Sequence, residues 1–291
     1  MLGDFPDLNR TVKCNKINEI VKEDYILESL VLDLNGIESV PAYFVKPAIE
    51  KEKYPVVLYN HAHGYNYNLG KSELIQGNNS LQYPPYACEL ANMGIASLCI
   101  DHWAFGDRRG RTESELFKEM LWNGQVLWGM MVFDSLKAID YLVSRSDIDS
   151  NNIGTIGFSM GNTMAWWLAA LDERVKLCAD ICCLTDFNSL LEQRAVDEHS
   201  LYYYVPGLLK HFTTSDILEL ISPRYHLSLN GKFDPHTPIK GLNVIDERMK
   251  AIYENDGNPD AWRLSIQDTG HYETAVMRSE IKHYLNFLSY C

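Results

Sequence analysis

The segment GFSMGN, residues 157–162, places a serine between two glycines where an apolar run gives way to a helical pattern. NIGTIGF, which ends just before Ser159, is typical of a buried strand, and NTMAWWLAAL is typical of a helix. A G-x-S-x-G turn in this setting forms a nucleophile elbow, which strains the serine backbone and points its Oγ away from the sheet. Gly157 and Gly161 lack Cβ atoms, so strand and helix can pass close together. We therefore predict that Ser159 is a nucleophile; the alternative is a plain turn with a surface serine.

A serine hydroxyl is a poor nucleophile without a general base. Among the nine histidines, His271 directly follows the last predicted strand and precedes the last predicted helix. Gly270 beside it allows a tight approach of the backbone. His236 lies near a strand end but next to prolines. His199 and His211 lie in a predicted cap, and His283 lies inside a predicted helix. We predict that His271 is the base, and the alternative is a histidine in a solvent loop.

A catalytic imidazole also needs a carboxylate that orients it. Asp234, in LSLNGKFDPHTP, follows a predicted strand and precedes His271 in the chain. Asp186, in CCLTDF, follows the preceding strand and is the rival candidate. A strand, a glycine-containing turn, an aspartate and a proline define a loop at the sheet edge, which favours Asp234. The alternative for Asp234 is an aspartate that only forms the turn before a proline.

Acyl transfer further requires donors for the negative charge that develops on the carbonyl oxygen. The backbone N–H of Met160, directly after the serine, is one candidate. The N–H of Tyr65, in the loop HAHGYNYN after the strand YPVVLYNHA, is the other, and Gly64 lets that backbone turn inward. His61 and His63 alternate along this strand end and could bind a metal. No third ligand stands at clear spacing, so we predict no metal and expect both histidines to shape the loop.

The substrate pocket is predicted from residues that follow strands or lie in the cap. We expect it to be lined by His63, Gly64, Trp103 and Tyr203, with Trp122, Tyr202 and Tyr204 as further aromatic candidates. Aromatic residues are equally ordinary core material, so a packing role is the alternative. Arg108 and Arg109, in FGDRRGR after the strand IASLCIDHW, could hold a substrate carboxylate. Such a cluster more often braces loops through ion pairs.

The elements that must position these residues follow from hydrophobic patterning. YILESLVLDL and ESVPAYFVKP, joined at Asn35-Gly36, predict an antiparallel hairpin over 25–47. Strand and helix patterns then alternate, which predicts right-handed crossovers and a mostly parallel, eight-stranded sheet with helices on both faces. The predicted later elements are strands over 54–62, 95–103, 152–158, 175–183, 225–231 and 262–268, and helices over 81–94, 121–144, 162–171, 239–255 and 273–289.

The alternation stops between residues 184 and 222, in a segment that contains EHSLYYYVPGLLKHF. We predict that this segment is a small cap inserted over one edge of the sheet, within a single domain that spans residues 1–291. Ligands of such sheets bind outside the carboxyl ends of the strands. The residues directly after strands are therefore the ones most expected to function.

Length and composition limit the classes of protein that remain. A chain of 291 residues suits one large α/β domain or two small ones. The formal net charge of −13 disfavours nucleic acid and anionic membranes as partners. The start, MLGDFPDLNRTVKCNK, lacks the apolar core of a secretory signal, and no apolar stretch is long enough to span a bilayer. The seven cysteines are scattered without a CxxC pair, which favours a reduced, cytoplasmic protein.

Taken together, NHAHGYN, CIDHWAFGDRRG, GFSMGN, NGKFDPHTP and DTGHY resemble the α/β-hydrolase superfamily. The branch that the chain most resembles contains dienelactone-hydrolase-like proteins and esterases similar to acetyl xylan esterase and cephalosporin-C deacetylase. The resemblance covers about residues 25–291 and has the expected order of serine, aspartate and histidine. It implies Ser159 as nucleophile, Asp234 as acid, His271 as base and the HGY at 63–65 as oxyanion loop.

Two departures from the family pattern stand out. Dienelactone hydrolases proper use a cysteine nucleophile, whereas this chain has a serine, and the deacetylases usually have glycine where this chain has Asn162. The resemblance implies a serine hydrolase of small-molecule carboxylic esters, foremost acetyl esters, that requires no cofactor. The alternatives are a peptidase or thioesterase on the same fold, and a non-catalytic protein that binds a ligand.

Overall fold

One mixed sheet organises residues 1–288, the part of the chain that the computed structural model describes. Its strands are β1 (Lys13–Val21), β2 (Tyr25–Asp33), β3 (Val40–Pro47), β4 (Tyr54–Asn60), β5 (Ala96–Ile100), β6 (Ile148–Phe158), β7 (Val175–Ile181), β8 (Tyr225–Gly231) and β9 (Trp262–Gln267). They lie in the order β1-β2-β3-β5-β4-β6-β7-β8-β9. Along this order, the neighbouring strands β1, β2, β3 and β5 pair antiparallel, and the strands β5, β4, β6, β7, β8 and β9 pair parallel.

Helices connect the parallel strands. They are α1 (Glu73–Gln76), α2 (Tyr86–Asn92), α3 (Glu113–Trp122), α4 (Leu127–Ser144), α5 (Met160–Leu171), α6 (Phe187–Glu192), α7 (Thr214–Leu218), α8 (Ile239–Asn255) and α9 (Ala275–Leu285). Short 3₁₀ turns cover Gly70–Ser72, Gly106–Arg108, Val196–Glu198, Leu201–Tyr203, Leu208–Lys210, Glu219–Ile221, Pro259–Ala261 and Asn286–Leu288. Within residues 1–288, none of the helices combines the length and apolar character needed to cross a bilayer.

The central strands are buried on both faces, as their continuous apolar sequences predict. In β4, Val56 and Leu58 face one hydrophobic core, whereas Val57 and Tyr59 face the other. The first core is completed by α3, α4, α5, α7 and α8, and the second by α1, α2 and α9. The sheet therefore lies between two helical layers, and its carboxyl edge is left for loops.

The predicted number of eight strands is wrong, because the sheet has nine within the described residues. The missed strand is β1, KCNKINEIV, which pairs antiparallel with β2. Every residue of β1 is exposed, so neither of its faces carries the apolar alternation by which a strand is recognised. Its backbone hydrogen bonds to β2, rather than burial of its side chains, define it as a strand.

Several predicted helices have different limits in the structure. The helix predicted over 121–144 is divided into α3 and α4 by a turn at Asn123 and Gly124, where Gly124 has φ +75°. The helix predicted from residue 81 begins at Tyr86, because prolines 84 and 85 cannot donate to a helical ladder and restrict the residues before them. In the last predicted helix, 273–289, Ser289 lies outside the described residues, and α9 covers the central part.

The segment predicted as a cap, 184–222, contains no strand in the structure. It holds α6, α7 and 3₁₀ turns between β7 and β8. Its interpretation as an insertion within a single domain remains a prediction. Tyr202 and Tyr203 of this segment are buried against the main core, so the segment packs on the helical layer that contains α4 and α5.

Arg108 braces loops in the interior, one of the two roles considered for it. Its guanidinium donates to Asp134 at 2.8 Å, to Glu38 at 2.6 Å and to the Asp101 carbonyl at 2.9 Å. The guanidinium carbon lies 4.3 Å from the centre of the Trp103 ring. Arg109 is exposed, and its guanidinium donates to the Gly106 carbonyl and to Asn68. Arg108 thus links the hairpin, the loop after β5 and α4.

Replacing Asp134 with alanine is expected to destabilise the protein by about 3–5 kcal/mol, because the buried Arg108 charge would lose its buried partner. Urea unfolding measures the change. Glu119→Gln is the control: it breaks the exposed Arg111–Glu119 pair nearby and should change the free energy of unfolding by less than about 1 kcal/mol. Equal effects of the two substitutions would contradict the bracing role of Arg108.

Candidate active site

The turn between β6 and α5 holds Ser159 in a strained backbone conformation, with φ 60° and ψ −116°. Its N–H donates to the Ile181 carbonyl at 3.0 Å, which fixes the turn against β7. A Cβ on Gly157 would lie 2.0 Å from the carbonyl oxygen of Gly161, and a Cβ on Gly161 would lie 2.0 Å from that of Asn60. Both glycines are therefore required for the close packing of β4, β6 and α5 that supports the elbow.

Three side chains from separate loops meet at this carboxyl edge of the sheet. His271, after β9, has Nε2 2.9 Å from Oγ of Ser159. Its Nδ1 lies 2.7 Å from Oδ2 of Asp234, which follows β8. The rival Asp186 lies elsewhere as the N-cap of α6, where it accepts a hydrogen bond from the Ser189 N–H at 2.8 Å. The structure thus brings together the three residues predicted from sequence.

Asp234 accepts hydrogen bonds from a second histidine that the sequence analysis set aside. Its Oδ1 accepts from the His236 N–H at 2.9 Å and lies 3.0 Å from Nδ1 of the His236 ring. The His236 ring is 4.4 Å from the His271 ring. In the sequence, the prolines beside His236 favoured a turn. Its spacing of two residues from Asp234 was the one feature that could have indicated a contact between the two side chains. One carboxylate therefore orients two imidazoles.

The environment of Asp234 favours its ionised form. Burial alone would raise the pKa of this carboxyl group, whose side chain is fully buried. The hydrogen bonds from His236 and His271 outweigh that effect, so the pKa of Asp234 lies well below its ordinary value. The carboxylate consequently keeps its charge, and its orienting role, throughout the neutral pH range.

The Asp234 carboxylate should stabilise the fold above its ordinary pKa of 3.8, and this contribution should be lost as pH falls toward the depressed native pKa. Asp234→Asn is therefore expected to lower the free energy of unfolding most near pH 7 and progressively less toward about pH 3. Urea unfolding across this range measures the difference. A difference for Asp234→Asn that stays constant across this pH range would contradict the argument.

The two predicted oxyanion donors differ in their present partners. Met160 is the first residue of α5, where backbone N–H groups have no acceptor within the helix. Tyr65, in contrast, has φ 51° and donates its N–H to Nδ1 of His63 at 3.1 Å. The Met160 N–H is thus free of helical bonding, whereas the Tyr65 N–H is engaged within its own loop.

A cavity of about 200 Å³ opens beside Ser159. It is lined by His63, Gly64, Tyr65, Ser159, Cys183, Glu198, His199, Ser200, Tyr202, His236 and His271. Two of the predicted pocket residues, His63 and Gly64, are among them, but Trp103 and Tyr203 are not. Trp103 packs beneath Arg108, and Tyr203 stacks on His199 at 4.1 Å between ring centres. Tyr203 therefore lies behind His199, a residue of the cavity wall, whereas Trp103 is buried in the core against Arg108.

The cap supplies one wall of the cavity, and Tyr202 is the only residue of that wall that the sequence analysis named as a pocket candidate. Glu198, His199, Ser200 and Tyr202 come from two short 3₁₀ turns and the residues between them. In a run of three tyrosines, the local turn decides which ring faces the cavity, and the sequence carries no periodic signal for it. Tyr202, one position before the predicted Tyr203, is the one that faces it.

The two histidines of the HAH sequence do not point to a common site. His61 is fully buried; its Nδ1 lies 2.9 Å from the Ala62 carbonyl oxygen, and its Nε2 accepts from the His102 N–H at 3.2 Å. Burial lowers the pKa of His61 to about 4, so this imidazole is neutral at pH 7. His63 instead reaches Glu113, with Nε2 2.8 Å from Oε2. Both histidines support the loop, each through different contacts.

Comparison with solved structures defines the fold. A glucuronoyl esterase from Solibacter usitatus superimposes with a TM-score of 0.72 at 14% sequence identity, over 99% of this chain and 88% of that one. At this level of identity the similarity concerns the fold alone. Together with the sheet and the elbow, it identifies an α/β-hydrolase fold.

Comparison of sequences then identifies the family. The family described as acetyl xylan esterase (AXE1) matches residues 26–216, more than half of the chain. The chain therefore belongs to the acetyl xylan esterase family and is a serine hydrolase of carboxylic esters. It is 50% identical to "Putative hydrolase YtaP" of Bacillus subtilis over 285 residues, 98% of this chain and 95% of that protein. It is 26% identical to acetyl esterase Axe7A of Xylanibacter ruminicola over 201 residues, 64% of this chain and 42% of that protein.

Proposed function

We propose that this enzyme hydrolyses short-chain acyl esters, foremost acetyl esters, of a sugar or another small molecule, with Ser159, His271 and Asp234 as its catalytic residues. The observation that carries the proposal is the continuous contact from Oγ of Ser159 through the His271 ring to Asp234, at 2.9 Å and 2.7 Å. Membership of an acetyl xylan esterase family and an acetyl esterase among the relatives support the choice of acyl group.

The proposed reaction follows from these contacts. His271 accepts the Ser159 proton as Oγ attacks the ester carbonyl, and Asp234 stabilises the imidazolium that forms. The N–H groups of Met160 and Tyr65 are the proposed donors to the oxyanion. His271 then protonates the departing alcohol, and it activates a water that releases the acyl group from Ser159. The Tyr65 N–H must exchange its contact with His63 for the oxyanion during this cycle.

The size of the cavity supports a small acyl group. At about 200 Å³ it is smaller than the roughly 300–1,000 Å³ of sites that bury drug-sized ligands. Its polar members, such as Ser200, Glu198 and His236, suit hydroxyl groups of a small alcohol or sugar.

The cytoplasmic location expected from the scattered cysteines remains a prediction.

Ser159→Ala is expected to lower turnover of p-nitrophenyl acetate by at least about 10⁴-fold, because no other group would form the acyl-enzyme. A fluorophosphonate probe should label the wild type and not this variant. Ser279→Ala, an exposed serine of α9, serves as the control and should keep both activities. A wild type that resists the probe would instead favour a non-catalytic, ligand-binding protein, and retained turnover in Ser159→Ala would remove Ser159 from the mechanism.

Among p-nitrophenyl esters, kcat/KM is expected to be highest for acetate and to fall by about tenfold or more by octanoate, since the longer chain does not fit the cavity. A parallel panel of thioesters and peptides tests the other substrate classes. A preference for long chains would contradict the acetyl assignment. Activity confined to peptides or thioesters would replace it with the peptidase or thioesterase alternative.

A further inference from the structure

One buried carboxylate joins two walls of the cavity. Glu113, the first residue of α3, is only 5% exposed. Its Oε2 accepts hydrogen bonds from Tyr67 Oη at 2.8 Å and Ser200 Oγ at 2.9 Å and lies 2.8 Å from His63 Nε2. Its Oε1 accepts from the Tyr202 N–H at 2.7 Å. A single charge therefore contacts the loop of residues 63–67 and the cap at four points.

The four contacts keep Glu113 charged. Burial alone would raise the pKa of this carboxyl group, but the hydrogen bonds from His63, Tyr67 and the Tyr202 N–H outweigh it, and the pKa lies below its ordinary value. A carboxylate can only accept hydrogen bonds. The His63 nitrogen that faces it must therefore carry a proton.

This requirement fixes the tautomer of His63. With the proton on Nε2, a neutral imidazole has a lone pair on Nδ1, which acts as an acceptor. Nδ1 is the atom that accepts the Tyr65 N–H at 3.1 Å. The Glu113 carboxylate thus acts through His63 on the backbone N–H proposed as an oxyanion donor, although Glu113 does not line the cavity beside Ser159.

We propose that Glu113 is a positioning residue: through His63 it holds the loop of residues 63–65 at the edge of the cavity, so that the Tyr65 N–H needs only to exchange its acceptor to reach the oxyanion. Through Ser200 and Tyr202 it holds the cap against the same loop. This inference rests on the proposed function, because the Tyr65 N–H matters only if an oxyanion forms beside Ser159. In the other tautomer His63 Nδ1 would carry a proton and could not accept a hydrogen bond from the Tyr65 N–H. Two donor groups would then face each other, which would displace the loop.

The test is Glu113→Gln, which keeps the size of the side chain but replaces one acceptor oxygen with a donor NH₂. Either His63 must change tautomer or the Tyr202 N–H loses its acceptor. We expect kcat for p-nitrophenyl acetate to fall about 10- to 100-fold while KM changes less than about threefold, because an oxyanion donor acts mainly in the transition state. Glu119→Gln, an exposed carboxylate on the same helix, is the matched control and should keep wild-type kcat.

A second variant separates positioning from folding. His63→Gln should lower kcat to a similar extent, and the double variant should be no worse than the more damaged single variant, because both changes act on the same N–H. Multiplied losses in the double variant, or a Glu113→Gln enzyme with kcat within about twofold of wild type, would overturn the inference. The inference would also be overturned if the loss of activity of Glu113→Gln were fully explained by a smaller fraction of folded protein, as measured by thermal unfolding.

Failure of the proposed function would give a different result. If Ser159 were not the nucleophile, the fluorophosphonate probe would fail to label the wild type as well as Glu113→Gln. If only the role of Glu113 were wrong, the probe would label both proteins at the same rate. The inference predicts labelling of both, with the Glu113→Gln rate lowered by about the same factor as kcat/KM.

Discussion

The close approach of strands β4 and β6 to helix α5 is the constraint on which the site depends. Gly157 and Gly161 have no room for a Cβ atom. Because that atom is absent, β4, β6 and α5 come into contact below Ser159. The serine can then hold φ 60°, a value that L-residues rarely adopt, because its N–H is fixed to β7 on the other side. Strain of this kind persists only where the surroundings determine the backbone fully.

A buried polar network supports the nucleophile elbow. It also explains the presence of Asn162 at a position where the deacetylases usually have glycine. This side chain, fully buried in α5, donates to Oδ1 of Asp180 in β7 at 2.9 Å. Asp180 also accepts from Ser228 at 2.6 Å and contacts His226 Nε2 at 2.5 Å, both from β8. Glycine at position 162 would leave Asp180 without one of its donors. The residue that departs from the family pattern is thus part of the connection between the elbow helix and the sheet.

The sequence predicted the site better than its walls, for physical reasons. Ser159 directly follows β6, and Asp234 and His271 lie in the loops just after β8 and β9. Because the carboxyl ends of parallel strands meet at one edge, order along the chain was enough to bring the three residues together. His236 and Glu113 were missed because their roles depend on which side chains face each other across loops. The choice between Tyr202 and Tyr203 depends on one short turn, for which the sequence has no periodicity.

The fold was predictable wherever burial leaves a pattern. The apolar runs of β4 to β9 and the turn at Asn35-Gly36 gave the sheet and its hairpin, and α8 begins and ends at the predicted residues. Burial did not mark β1, and the division of α3 from α4 depends on a single left-handed glycine within an otherwise continuous helical pattern. Both errors arise where backbone geometry, not side-chain hydrophobicity, decides the structure.

The exposed strand β1 has a consequence for how the molecule behaves among its own copies. The outer edge of a sheet presents backbone groups that can pair with a strand of another chain and start aggregation. Here that edge carries Lys13, Lys16 and Glu19, and its register with β2 shifts between Lys16 and Asn18. Charge and irregular geometry both disfavour the addition of a further strand. Within the described chain the edge is therefore protected against fibre-like growth where it carries these charges, whereas Ile20 and Val21 at its end are exposed apolar side chains.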